Sequence, residues 1–260
     1  DKRVICLPGV PREMERMMNS WVVPYLGDLR RGPDSAQVIK SKVVRTSGIG
    51  ESALEALIVD LAHDHDNPTV ATYAGGGECQ VRITARADSE PEADALIQSV
   101  LAPIGARLGR LVYGYDADTL EEVVGRLLAR AGSTIACAES CTGGLVSAML
   151  TNVPGSSGYF DRGVVTYSNR AKIQQLAVDE TTLAAHGAVS RDTAIEMAAG
   201  VARIAGVDIG LSITGIAGPG GGTDAKPVGT VHFALAHMRR PAVITARMRF
   251  GGDRAAVRTR

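Results

Sequence analysis

Ser140 stands in Ala138-Glu139-Ser140-Cys141-Thr142-Gly143-Gly144, after the apolar, partly β-branched run 133–138 and before Leu145-Val146-Ser147-Ala148-Met149-Leu150. The first run reads as a buried strand and the second as a helix start. A hydroxyl on such a turn is a candidate nucleophile. The backbone N–H groups of Cys141, Thr142, Gly143 and Gly144 are candidates to hold a substrate anion or a developing oxyanion. The same pattern fits a plain helix N-cap serine followed by two packing glycines. A nearby base would separate the two readings.

The best base in the sequence lies in Val165-Thr166-Tyr167-Ser168-Asn169-Arg170-Ala171-Lys172. With Ser168 as N-cap, Lys172 falls in the first turn of the next helix. A cation there faces the positive end of the helix dipole, which lowers its pKa, and burial would lower it further. A lysine that is neutral part of the time can act as general base toward a serine. Tyr167, at the strand end, could relay the proton or fix the lysine. The alternative is that Lys172 and Arg170 are surface cations and Tyr167 is an aromatic at the core edge.

A third stretch runs from Thr214 and Gly215 through Gly218, Gly220 and Gly221 to Lys226. A Gly-rich loop after a strand can offer backbone donors to a phosphate, and Lys226 can add charge. It is neither a Walker A motif nor a dinucleotide fingerprint. A flexible surface loop is the competing reading, but so long a loop inside a compact domain is more often functional. Cys141 is a rival nucleophile that would need a histidine base from among His186, His232 and His237. A zinc site on Cys137 and Cys141 is weaker still.

Composition narrows the function. The 260 residues carry 28 Lys plus Arg against 28 Asp plus Glu, so the net charge is zero. That removes the electrostatic footprint of a nucleic-acid binder, and no nucleic-acid partner is expected. No apolar run reaches the roughly 18 residues of a membrane span, and no signal peptide is visible. Four sparse cysteines do not make a disulfide framework, which points to a reducing, cytoplasmic home. Few aromatics with plentiful Gly, Ala and Val suit tight α/β packing.

The elements that must position these residues follow from periodicity. Arg3–Leu7 reads as a strand. Glu13–Trp21 reads as a helix whose Met14, Met17, Met18 and Trp21 are expected in a core. Residues 27–36 read as a linker. A small α+β unit follows, with strands 38–45, 69–73 and 79–87 and helices 53–62 and 90–108. His63-Asp64-His65-Asp66 reads as a solvated loop rather than a metal site. Residues 113–117 read as a second linker. Asp118 and Glu121 then suggest a capping box at the head of an amphipathic helix ended by Gly132. Beyond it, strands 133–138, 163–167, 207–213, 229–236 and 243–250 are expected, with helices from 144, at 169–176 and at 191–205. Gly251-Gly252-Asp253-Arg254 opens a last helix, expected to run on beyond Arg260. The alternation predicts a three-layer α/β/α domain with a largely parallel sheet.

Five ordered blocks together resemble the CinA family's C-terminal domain. They are Ala138–Gly144, Val153-Pro154-Gly155-Ser156-Ser157, Val165–Asn169 with Lys172, His186-Gly187-Ala188-Val189-Ser190, and Thr214–Gly221. Thr46-Ser47-Gly48-Ile49-Gly50-Glu51-Ser52 is similar to the family's KH-like middle domain. Leu7-Pro8-Gly9-Val10-Pro11-Arg12-Glu13-Met14 is similar to the end of its molybdopterin-binding-like N-terminal domain. The resemblance implies a remnant at 1–30, a KH-like α+β domain at 31–112 and a C-terminal domain at 113–260. It further implies a cytoplasmic, homodimeric amidohydrolase that converts nicotinamide mononucleotide (NMN) to nicotinic acid mononucleotide and ammonia. The family's nucleophile falls on Ser140, and its partners fall on Tyr167 and Lys172. No metal or organic cofactor is required by that scheme. A metal-dependent pyrophosphatase of the N-terminal domain is not carried over, because nearly all of that domain is absent from this sequence. RNA binding by the middle domain is disfavoured by the neutral charge and a poor match to a basic G-x-x-G clamp. The rival to the amidohydrolase is a non-catalytic nucleotide-binding or competence-associated scaffold.

Overall fold

The structure, a computed structural model, describes residues 3–29, 37–63, 66–75, 77–240 and 242–260. Residues 30–36 of the expected linker, and Asp64 and His65 of the expected solvated loop, lie outside the described residues. The chain divides into two compact units, one built from Asp1–Lys42, Glu55–Ala71 and Arg82–Gly109, the other from Val43–Leu54, Thr72–Val81 and Arg110–Arg260.

In the first unit, helix α1 (Pro11–Met17) passes through a wider turn at Met18–Val22 into α2 (Val23–Leu29). Residues 3–7 form no strand. The methionine stripe expected in a core is not buried. Only Val22 is buried along this stretch, Met17 is exposed, and Trp21 is 58% exposed and stacks on Tyr25 at 5.1 Å. The helical spacing is present, but of these residues only Trp21 has a ring partner, Tyr25.

Strands β1 (Val38–Thr46), β2 (Thr69–Gly75), β3 (Glu78–Ala87) and β4 (Val112–Tyr115) form a sheet in the order β2-β3-β1-β4. Helix α3 (Glu51–His63) lies between β1 and β2 in sequence. Helix α4 (Glu90–Leu108) follows β3 and buries Ala93, Ile97, Val100, Ile104 and Leu108, the three-and-four spacing of a single apolar stripe. Strand β4 corrects the second linker. Val44 pairs with Tyr115 and Arg45 with Gly114, antiparallel, and Asp116 N–H closes on the Val43 carbonyl at 2.8 Å. Two short aromatic-rich steps suffice for a strand once an open ladder lies beside them.

The second unit holds the candidate chemistry. Helix α5 (Leu120–Ala131) opens with a reciprocal capping box, on Thr119 and Glu122 rather than Asp118 and Glu121, and ends at left-handed Gly132. Strands β5 (Ile135–Glu139), β6 (Phe160–Val165), β7 (Ile209–Gly215), β8 (Thr230–His237) and β9 (Ala242–Arg249) form one sheet in the order β6-β5-β7-β8-β9. The β6-β5-β7 core is parallel, and β8 and β9 add on antiparallel. Helices α6 (Leu145–Thr151), α7 (Asn169–Leu176), α8 (Glu180–His186), α9 (Arg191–Ala205) and α10 (Arg254–Thr259) complete it. Helix α8 has no counterpart in the sequence reading.

Alternation along β5 fills two cores. Ala136 and Ala138 face Leu176, Leu183, Met197 and Val201 of α7, α8 and α9, while Ile135 and Cys137 face Leu128 and Leu150 of α5 and α6. A third cluster joins Cys141, Ile213 and Val231 to Val257 of α10. Full burial of a side chain such as Met197 contributes roughly 1.5–3 kcal/mol. Helix α9 sits so close to its neighbours that a Cβ on Gly210 would meet the Ala198 carbonyl oxygen at 1.9 Å, and one on Gly200 the Leu176 oxygen at 2.1 Å. This close approach holds α9 against β7 and α7.

Candidate active site

Strand β5 delivers Ser140 to the end of the parallel core. Ser140 N–H donates to the Ile213 carbonyl on one side, and the Glu139 carbonyl accepts from Thr166 N–H on the other. The chain then turns through Cys141–Gly144, with Gly143 and Gly144 at φ 64° and 101°, before α6 begins. Only glycine adopts such angles without strain, which explains the Gly-Gly pair.

The start of α6 does not offer its donors to a ligand. The carboxylate of Glu139, fully buried, accepts from Gly144 N–H (2.9 Å), Val146 N–H (3.2 Å), Ser147 N–H (2.8 Å) and the Ser147 hydroxyl (2.6 Å). The Ser147 hydroxyl is the first of the bonds that lower its pKa, opposing the larger effect of burial; the net shift is downward. Gly143 N–H turns back to the Ser140 carbonyl at 3.1 Å. Of the four residues expected to hold an anion, Gly143 and Gly144 are therefore spoken for. The N–H groups of Cys141 and Thr142 turn toward the Cys141 sulfur instead, and lower its pKa against the larger effect of burial.

Lys172 is the fourth residue of α7, and Ser168 caps that helix by accepting from Ala171 N–H at 3.1 Å, as the sequence predicts. The lysine does not reach solvent. It is 1% exposed, and its Nζ donates to Ser140 Oγ at 3.1 Å and to the Thr166 carbonyl at 2.7 Å. Burial holds its pKa down to about 8. The expected helix-dipole contribution is not needed to explain that shift. The surface-cation reading of Lys172 is thus overturned by its burial.

Tyr167 is placed differently from the relay. It is 59% exposed, and its hydroxyl accepts from Arg254 Nη2 at 2.6 Å. Arg254 also donates from Nη1 to the Gly218 carbonyl at 2.8 Å. One turn further along α10, Arg258 donates to the carbonyls of Cys141 (3.1 Å) and Thr142 (3.0 Å). Two arginines four residues apart on one helix face thereby tie the serine turn, the tyrosine and the Gly-rich loop to α10. The sequence reading missed Arg258. The Arg-x-x-x-Arg spacing after the Asp253 cap was the available signal.

The Gly-rich loop splits into two kinds of residue. Thr214 is fully buried and its hydroxyl donates to the Ala188 carbonyl at 2.8 Å, so it supports the fold rather than facing a ligand. Gly215 is a packing glycine, since a Cβ there would meet Val231 Cγ2 at 2.7 Å and Cys141 Sγ at 3.0 Å. Gly218 is buried and serves Arg254, whereas Gly220 and Gly221 are exposed. Lys226 donates to the His186 carbonyl at 2.6 Å. Burial pushes the Cys141 thiol up in pKa, away from thiolate. Among the described residues no group of three or more His, Cys, Asp or Glu could hold a metal ion, and no helix is long and apolar enough to cross a membrane.

Fold and site together define a three-layer α/β domain with a serine–lysine pair buried at the end of its parallel strands. The chain matches the CinA C-terminal domain model over residues 117–260 and the damage-inducible protein CinA KH domain model over residues 41–114, and it belongs to the CinA family. A CinA-like protein of Kosmotoga olearia is 48% identical over 259 residues, which are all but one residue of this chain and 61% of that protein. The chain thus spans about three fifths of the length of the curated relatives it matches. The solved competence/damage inducible protein CihA of Agrobacterium tumefaciens is 42% identical, with a TM-score of 0.52 over 54% of this chain and 85% of its own. A CinA superfamily protein of Escherichia coli is 34% identical, with a TM-score of 0.51 over 58% of this chain and 93% of its own.

Proposed function

We propose that this chain is a nicotinamide-nucleotide amidase, hydrolysing NMN to nicotinic acid mononucleotide and ammonia. The observation that carries the reading is the direct 3.1 Å contact between Lys172 Nζ and Ser140 Oγ, made by a buried lysine whose pKa is near 8. An ordinary N-cap serine has no use for a buried amine. A binding-only scaffold would keep Lys172 charged and in reach of solvent.

In the proposed sequence, neutral Lys172 takes the Ser140 hydroxyl proton as Oγ attacks the carboxamide carbon. The Cys141 and Thr142 N–H groups stabilise the oxyanion, which is commonly the largest single electrostatic contribution in such sites. Lys172 then delivers its proton to the departing nitrogen, the C–N bond breaks and ammonia leaves. Water, deprotonated by the same lysine, cleaves the acyl-serine. The transfer runs without Tyr167, whose hydroxyl and Arg254 form a polar wall beside the Gly218 carbonyl. The exposed Gly220 and Gly221 are the loop residues still open to the nucleotide phosphate. The test is ammonia release from NMN by the parent and by Ser140→Ala. Turnover by the parent that vanishes in the variant supports the reading, and equal turnover by both overturns it.

A further inference from the structure

A polar cavity of about 330 Å³ opens where the end of α8, the first turn of α9, the Gly-rich loop, β8 and β9 meet. His186, Arg191, Lys226, His232 and Arg247 line it. None of these touches Ser140 or Lys172, and none belongs to the hydrogen bonds of the serine turn. Three permanent cations in one cavity are unexpected in a chain of zero net charge.

Their placement gathers positive charge on one surface, with Arg191 and Arg247 exposed and Lys226 half-buried. Arg191 is the first residue of α9 and faces the positive end of a 15-residue helix. His232 and Arg247 stand directly opposite each other on β8 and β9, so their side chains share one sheet face. Lys226 and Arg247 each use one donor on a backbone carbonyl, of His186 and Ala225, and keep the rest. Arg191, Lys226 and Arg247 form no ion pair among the described residues. A half-exposed carboxylate, Asp192, faces the cluster 3.9 Å from His186 Nδ1. Burial first, then the charges of Arg247 and Lys226, hold the His232 imidazole below its ordinary pKa, against an opposing pull from Asp192.

We infer that this cavity binds a phosphate-class dianion, either the phosphate of a nucleotide or free phosphate. Two guanidinium forks and an ammonium supply the charge-assisted donors that a tetrahedral dianion accepts. The inference stands without the amidase reading, because neither Ser140 nor Lys172 takes part in it.

The experiment follows the His232 imidazole by NMR titration of the full chain in chloride buffer, then with inorganic phosphate, NMN or nicotinamide riboside added. A bound dianion must raise the His232 pKa, because it favours the protonated ring. A rise with NMN but not with the riboside assigns the cavity to a nucleotide phosphate. A rise with inorganic phosphate alone assigns it to the free anion. Arg191→Gln and Arg247→Gln should each weaken binding about tenfold, the loss of one charge-assisted contact. The inference is overturned if neither phosphate nor NMN moves His232 in the parent. It is equally overturned if both arginine variants, folded by circular dichroism, bind as tightly as the parent.

Discussion

Lys172 with a pKa near 8 is neutral in roughly one molecule in ten at pH 7, enough to accept a proton without waiting for a rare event. The rate as kcat/KM should therefore rise with pH and level off above about 8, provided the amidase reading holds. Lys172→Arg should be inactive, because guanidinium stays protonated. An active arginine variant would reassign the residue to substrate charge. Burial also links this lysine to stability. Its folded pKa lies below the ordinary lysine value of 10.5, so the unfolded chain binds more protons between about pH 8 and 10.5. Stability should rise across that window, by up to about 3 kcal/mol, and show no pH dependence through Lys172 below it, where the desolvation penalty is constant. Denaturant unfolding of parent and Lys172→Met across pH 7 to 10 isolates the effect. A parallel pH dependence for the two would show that the amine is not desolvated in solution.

Among the elements, the short helix α6 depends on a group inside the strand before it. Glu139 satisfies three of its first N–H groups as well as the Ser147 hydroxyl. Glu139→Gln would put an amide NH₂ against some of those donors. A loss of about 2–4 kcal/mol and a fall in turnover are expected, since the same turn carries Ser140. A drop in turnover with unchanged Tm would instead place Glu139 in the chemistry. This cap marks where reading the sequence stopped. Ser168, Gly132 and the bounds of α7 and α9 were legible because capping residues and helical period act locally. The role of Glu139 was not, since a carboxylate between a strand and a helix looks the same whether it meets water or backbone. Thr214 was misread for a related reason. A hydroxyl beside glycines suggests a ligand, but its acceptor, the Ala188 carbonyl, is 26 residues away in sequence. Arg258 reaches 117 residues back to Cys141, and the Arg-x-x-x-Arg spacing shows a shared helix face but not that distant partner.

Across the whole molecule, every side-chain hydrogen bond seen at Ser140, Lys172, Glu139, Tyr167, Arg254 and Arg258 is made within residues 139–258. The alternation of strands and helices along the chain was readable apart from α8, but their order in the sheet was not. The antiparallel addition of β8 and β9 was not, since a strand's direction is set by its neighbours rather than by its own residues. The solved Agrobacterium protein matches 54% of this chain over 85% of its own length, so a domain of this kind stands as most of a chain elsewhere. Residues 117–260, which begin just ahead of the Thr119 cap of α5, should therefore fold when produced alone. Their ammonia release from NMN should stay within about threefold of the parent, a difference below roughly 0.7 kcal/mol in transition-state stabilisation. The measurement is kcat/KM for both proteins at the same pH. A folded fragment slower by more than about a hundredfold would mean that residues ahead of 117 complete the site, and the serine–lysine pair alone would no longer account for the reaction.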